Sequence, residues 1–139
     1  MSEIRPKFQR VMVIDDNPID LYIACRLLTK HHFTEKVLQF NSAMAALAFL
    51  AAHRDNPLEL PEIIMVDIYM PVISGFDFLS EYEKFPVEVK ELSRIYIVSS
   101  TIDEYDIKRI NEDKNIKGFG IKTINIEFLD SITGPDRNH

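Results

Sequence analysis

Three short runs, Arg10-Val11-Met12-Val13-Ile14-Asp15, Ile63-Ile64-Met65-Val66-Asp67 and Ile95-Tyr96-Ile97-Val98-Ser99, are almost unbroken in apolar, largely β-branched residues until their last position. A strand with one wet face alternates polar and apolar residues. Short continuous runs belong instead to strands covered on both faces of a parallel sheet. Two further runs, Lys36-Val37-Leu38-Gln39-Phe40 and Lys117-Gly118-Phe119-Gly120-Ile121, are more mixed and read as sheet-edge strands.

Helical patterns separate these runs. Ile23, Ala24, Leu27 and Leu28 recur at the spacing of one helix face, in a helix that begins near Pro18. Ala43 to Ala52 is rich in Ala and Leu, with Ser42 placed to cap it. Phe76, Leu79 and Tyr82 line a third helix after Gly75. A more polar fourth spans Asp103 to Glu112, and a short fifth, Ile126 to Ile132, is stopped by Gly134-Pro135. Arg54 to Pro61 and Phe85 to Ser93 read as loops. Strands alternating with helices in this way predict an α/β fold, a doubly wound five-stranded parallel sheet with five helices, the last one short. Its 139 residues suit one domain. The expected division is an N-terminal extension over 1–9, the domain over 10–133 and a flexible tail over 134–139.

Composition narrows the functional classes. Acids outnumber bases 22 to 16, so the chain lacks the basic footprint of a nucleic-acid binder. Cys25 is the single cysteine, which excludes an internal disulfide and fits a reducing, cytoplasmic setting. No apolar run approaches the roughly 18 residues of a membrane span, and no signal-peptide core follows Met1.

In doubly wound sheets ligands bind beyond the carboxyl ends of the strands. Here those ends carry Asp15-Asp16, Asp67, Ser99-Ser100-Thr101 and Lys122. If these strands are parallel, with the first and third adjacent, the groups converge on one rim. Two like charges 4 Å apart at an effective dielectric of 20 repel by about 4 kcal/mol, so an acidic trio calls for protonation or a cation. Oxygen-only ligands without His or Cys suit a hard divalent ion, Mg²⁺ first. The plainer reading makes the strand-end acids helix caps. It has weight for Asp15-Asp16 before Pro18 and little for Asp67, since the next helical pattern begins only at Gly75.

With these residues in hand, the chain resembles the response-regulator receiver domain of two-component signalling, the chemotaxis-type phosphoacceptor fold. The resemblance is carried by Val13-Ile14-Asp15-Asp16-Asn17, by the stretch from Met65 to Leu79 with its Asp67, Met70-Pro71 and Gly75, by Ile97-Val98-Ser99-Ser100 and by Phe119-Gly120-Ile121-Lys122. It spans roughly Arg10 to Ile132. The resemblance implies a flavodoxin-like strand order 2-1-3-4-5 and Asp67 as phosphoacceptor. It also implies Mg²⁺ on Asp15, Asp16, Asp67 and the Tyr69 backbone carbonyl, Ser99 as switch hydroxyl, Lys122 as phosphoryl-contacting ammonium and Phe119 as switch aromatic. Partners so implied are a sensor histidine kinase or histidine phosphotransfer protein upstream and an unknown protein downstream, with neither nucleic acid nor membrane. A stand-alone receiver of this kind is a phosphoacceptor with self-catalysed phosphorylation and dephosphorylation, not a turnover enzyme.

Four features depart from the commonest family pattern. Thr123 follows the lysine where proline is usual; since a non-proline cis bond costs about 2.5–4 kcal/mol, a trans bond is expected there. Ser100 replaces a small Ala or Gly, Phe119 lacks a phenolic hydroxyl, and the last helix is stunted, in a family whose fourth and fifth helices with the fifth strand often form the output or dimer surface. Competing classes fare worse. An Asp-nucleophile phosphatase of the haloacid-dehalogenase kind separates its first two acids by one residue, whereas Asp15-Asp16 are adjacent. An FMN binder needs a Ser/Thr/Gly-rich phosphate loop where Asp15-Asp16-Asn17-Pro18 stands. A phosphorylation-independent scaffold receiver has no need of the chemically competent set seen here.

Overall fold

The computed structural model describes residues 5–134. In chain order the elements are β1 (Phe8–Ile14), α1 (Pro18–Lys30), β2 (Thr34–Phe40), α2 (Ala43–Ala52), β3 (Ile63–Val66), α3 (Gly75–Tyr82), α4 (Val87–Leu92), β4 (Arg94–Ser99), α5 (Glu104–Glu112), β5 (Ile116–Ile121) and α6 (Ile126–Ser131). The strands form one sheet in the order β2-β1-β3-β4-β5, and every pair is parallel. This is the flavodoxin-like architecture expected, with the mixed runs on the two edges. No described helix is long and apolar enough to cross a membrane.

The continuous apolar runs split their side chains between two cores, as a strand's two-residue period demands. Met12, Ile14, Ile64, Val66, Ile95 and Ile97 face α2, α3, α4 and α5 through Leu50, Phe78, Leu79, Tyr82, Val89 and Ile110. Val11, Val13, Ile63, Met65, Tyr96 and Val98 face α1 and α6 through Leu28, Leu129 and Ile132. Both faces are dry, which is why these strands show no polar alternation.

Several local expectations need correction. Phe85 to Ser93 is not wholly loop: Val87–Leu92 is a short helix entered through Pro86, and only its Val89 is buried. Six residues offer too little periodicity to reveal it. On α1, Ala24, Leu27 and Leu28 pack into the core as expected, with Leu21 beside them, while Ile23 is 38% exposed. Tyr22 and Met44 are exposed, whereas Met65 and Met70 are core. The Cys25 thiol is pushed up to about 11 by burial, which leaves it unreactive. Of the expected tail, Gly134 is exposed and residues 135–139 lie outside the described residues, as do residues 1–4 of the expected extension.

Candidate functional site

Backbone ladders extend one residue beyond the strands and fix the site. The Asp15 N–H donates to the Phe40 carbonyl at 3.0 Å, the Asp67 N–H to the Ile14 carbonyl at 3.1 Å and the Lys122 N–H to the Ser99 carbonyl at 3.0 Å. With Ile14 level with Val66 and Val66 level with Ile97, the rim residues of β1, β3 and β4 sit side by side. They do so at the switch point where the strand order reverses between β1 and β3.

The capping reading of the acidic pair fails here. Asn17 is the N-cap of α1, accepting from the N–H groups of Ile19 and Asp20 at 2.9 and 3.1 Å. Asp15 is freed from that task and accepts from the Asn17 N–H at 2.9 Å. Asp15, Asp16 and Asp67 each present a carboxylate oxygen, all within 4.8 Å of one another; Asp15 and Asp67 are buried, Asp16 exposed. Octahedral magnesium binds oxygen at about 2.0–2.1 Å, so its ligand atoms lie at most about 4.2 Å apart. The cluster is already close to that span and offers only hard donors. These residues fit the ion.

Asp67 is held by three donors. Its Oδ1 accepts from the Tyr69 N–H at 3.2 Å and from the Ser99 hydroxyl at 3.0 Å, and its Oδ2 faces Lys122 Nζ at 3.0 Å. Ser99 is fully buried, so this bond is shielded from water. It is already made in the unmodified protein, without a phosphoryl group to draw the hydroxyl in. The Lys122 ammonium also meets Asp15 Oδ2 at 2.6 Å and Asp20 Oδ2 at 3.1 Å. Burial alone would pull the lysine down, but its hydrogen bonds to Asp15 and Asp67 outweigh this and hold it above the usual lysine range. Asp15 moves the other way from a normal carboxylate: burial raises it, and the bond to Lys122 offsets only part of that rise.

The Lys122–Thr123 peptide is cis, which overturns the trans expectation. The chain there is fixed on both sides, by the Lys122 N–H on Ser99 and by Ile124, which is buried in the core beneath α6. Phe119 lies on the edge strand level with Ile97 and is 39% exposed. Ser100 is exposed.

Sequence reasoning missed two members of the site. Asp20, in the first turn of α1, reaches the lysine across the whole length of the domain; only its place one turn beyond the acidic pair hinted at a shared rim. Asp106 is a buried carboxylate at the third position of α5. It closes a capping box with Asp103 and accepts the hydroxyl of Tyr69. That bond pushes Tyr69 up to about 12 and ties the segment after Asp67 to α5.

A doubly wound parallel sheet with an acid, hydroxyl and lysine rim at its switch point places the chain among the flavodoxin-like folds, and comparison narrows the class. The family model "response regulator receiver domain" matches residues 11–132. The two-component response regulator ORR12 of Oryza sativa subsp. japonica is 29% identical over 124 residues, 88% of this chain and 93% of that one. A response regulator receiver protein from Dyadobacter fermentans superposes with a TM-score of 0.78 at 31% identity, covering 88% and 93% of the two chains. The receiver domain of the histidine kinase CKI1 from Arabidopsis thaliana, crystallised in complex with Mg²⁺, superposes with a TM-score of 0.73 at 23% identity over 88% of each chain. The chain belongs to the response-regulator receiver family of two-component signalling.

Proposed function

We propose that Asp67 accepts a phosphoryl group from the phosphohistidine of a sensor histidine kinase or histidine phosphotransfer protein, and that the modification alters contacts with a downstream protein. The observation that carries this reading is the Asp67 carboxylate, within 4.8 Å of the Asp15 and Asp16 oxygens and 3.0 Å from the Lys122 ammonium. An oxygen of Asp67 attacks phosphorus, the phosphorus–nitrogen bond breaks, and the imidazole leaves with the electron pair, giving an acyl phosphate. Lys122 and the Ser99 hydroxyl stand where they can donate to the phosphoryl oxygens over which charge spreads. A Mg²⁺ ion on Asp15, Asp16, Asp67 and the Tyr69 carbonyl would supply further positive charge there. Burial of Asp67 and Ser99 limits water at the acceptor, so hydrolysis is slower than on an exposed carboxylate.

The switch follows from the same groups. Phosphorylation draws Ser99 and Lys122 onto new oxygens, and Phe119, half-exposed on β5, is free to change its packing. The phosphoryl group thereby biases a two-state population. Phe119 has no hydroxyl, so its signal is one of shape alone. The protein acts as a phosphoacceptor in the cytoplasm, not as a turnover enzyme. Incubation with acetyl phosphate and Mg²⁺ followed by intact mass measurement is the direct test. The expected result is a gain of one HPO₃ in the wild type and none in Asp67→Asn. Equal labelling of both would overturn the assignment.

A further inference from the structure

Lys122 presents a problem of valence. An ammonium has three N–H donors, and the three carboxylates of Asp15, Asp67 and Asp20 stand at 2.6, 3.0 and 3.1 Å from Nζ. All three donors are taken. A phosphoryl oxygen can be bound by Lys122 only if one carboxylate lets go.

The three are not equal. Asp67 is the acceptor and stays in place when it is modified. Asp15 makes the shortest contact, and its side chain is 7% exposed, so water cannot solvate it on release from the lysine. Asp20 makes the longest contact, its side chain is 34% exposed, and it stands outside the acidic trio. Water can solvate it on release. Asp20 is therefore the exchangeable partner.

We propose that Asp20 restrains Lys122 in the resting protein and competes with the incoming phosphoryl group for its ammonium, so that it sets the rate at which Asp67 is phosphorylated. The inference rests on Asp67 being the phosphoacceptor. Asp20 is a positioning residue here: it acts through Lys122, and its own negative charge opposes the approach of an anion. Water reaches this ion pair chiefly through Asp20, and a pair that water can screen changes an equilibrium by up to about fivefold.

The test uses the full chain with saturating Mg²⁺ and acetyl phosphate as the probe. Rates come from the mass-shifted fraction over time, and thermal melts run alongside. Asp20→Asn keeps an oxygen acceptor and removes the charge; Asp20→Ala removes both. Both variants are expected to phosphorylate faster than wild type, by up to about fivefold, because each weakens the competitor. A merely structural role in the first turn of α1 predicts the opposite, a lower melting temperature with an equal or slower rate, and that result overturns the proposal. Unchanged rates with unchanged melting overturn it too. Failure of the wild type itself to gain mass would remove the phosphoacceptor reading and this inference with it, whereas a labelled wild type with variants no faster removes this inference alone.

Discussion

Gly75 opens α3 directly against the backbone that carries Asp67. In an ordinary helix, replacing Gly with Ala gains about 0.5–1 kcal/mol, since Ala loses less backbone freedom on folding. At position 75 the added Cβ would stand 2.8 Å from Ile68 Cα and 3.0 Å from the Asp67 carbonyl carbon, and nearer still to the carbonyl oxygen. Carbon atoms pack comfortably at about 3.5–4.0 Å, so a backbone shift of roughly 0.5–1 Å is required. Nothing soft can absorb it. The Asp67 N–H is bonded to Ile14, and the Gly75 N–H donates to the Ile68 carbonyl at 2.7 Å. Overpacking of this kind costs about 1–3 kcal/mol, which outweighs the helix gain and leaves Gly75→Ala less stable by about 1–2 kcal/mol. Displacing the acceptor by up to about 1 Å should also slow its labelling by acetyl phosphate about tenfold or more. Gly118→Ala is the control: its Cβ meets only two Tyr96 ring carbons at 3.3 Å, a side chain able to yield, so its stability should stay within about 1 kcal/mol of wild type. Urea denaturation reads the stability and intact mass the rate. A Gly75→Ala protein as stable and as quickly labelled as wild type would refute the reasoning.

Two further outcomes are expected. Tyr82 is fully buried, and its hydroxyl has no hydrogen-bond partner among the described residues; Tyr82→Phe should therefore match wild type or gain about 1 kcal/mol in urea denaturation, and a clear loss would show that the hydroxyl is satisfied. Asp15 is raised above its ordinary value of 3.8 by burial, so the unfolded chain ionises first, and its share of stability is full below that value and lost as pH rises through the folded one. Without divalent cation, Asp15→Asn should then melt higher than wild type at neutral pH, whereas adding Mg²⁺ should raise the wild type more than the variant; a variant that melts lower in EDTA would contradict this.

The sheet was legible because its central strands are dry on both faces, which leaves an unbroken apolar signal ending in a polar residue. The rim was legible for a related reason: Asp15, Asp67 and Ser99 each stand at the end of such a run, and Lys122 follows directly on the mixed edge strand β5. What escaped depends on contacts that no local pattern records. Asp20 looks like an acid placed favourably in the first turn of a helix, and its bond to Lys122 exists only once β5 lies beside β4. Asp106 reads as half of a capping box, and its bond to Tyr69 joins segments 37 residues apart. On α1 the expected face holds at Ala24, Leu27 and Leu28 and misses only at its margin, where Ile23 is exposed and Leu21 packs instead. The helix at Val87–Leu92 failed because a single buried residue, Val89, holds it down.

Asp106 begins a helix with one of its bonds and holds Tyr69 with another, so the stretch leaving the acceptor and the end of α5 share a carboxylate. Free energy carried across such a joint is symmetric. A protein that grips α5 more tightly once Asp67 carries phosphate must, to the same extent, shift the equilibrium of Asp67 towards its phosphorylated form. The listener, in other words, helps to write the message it receives.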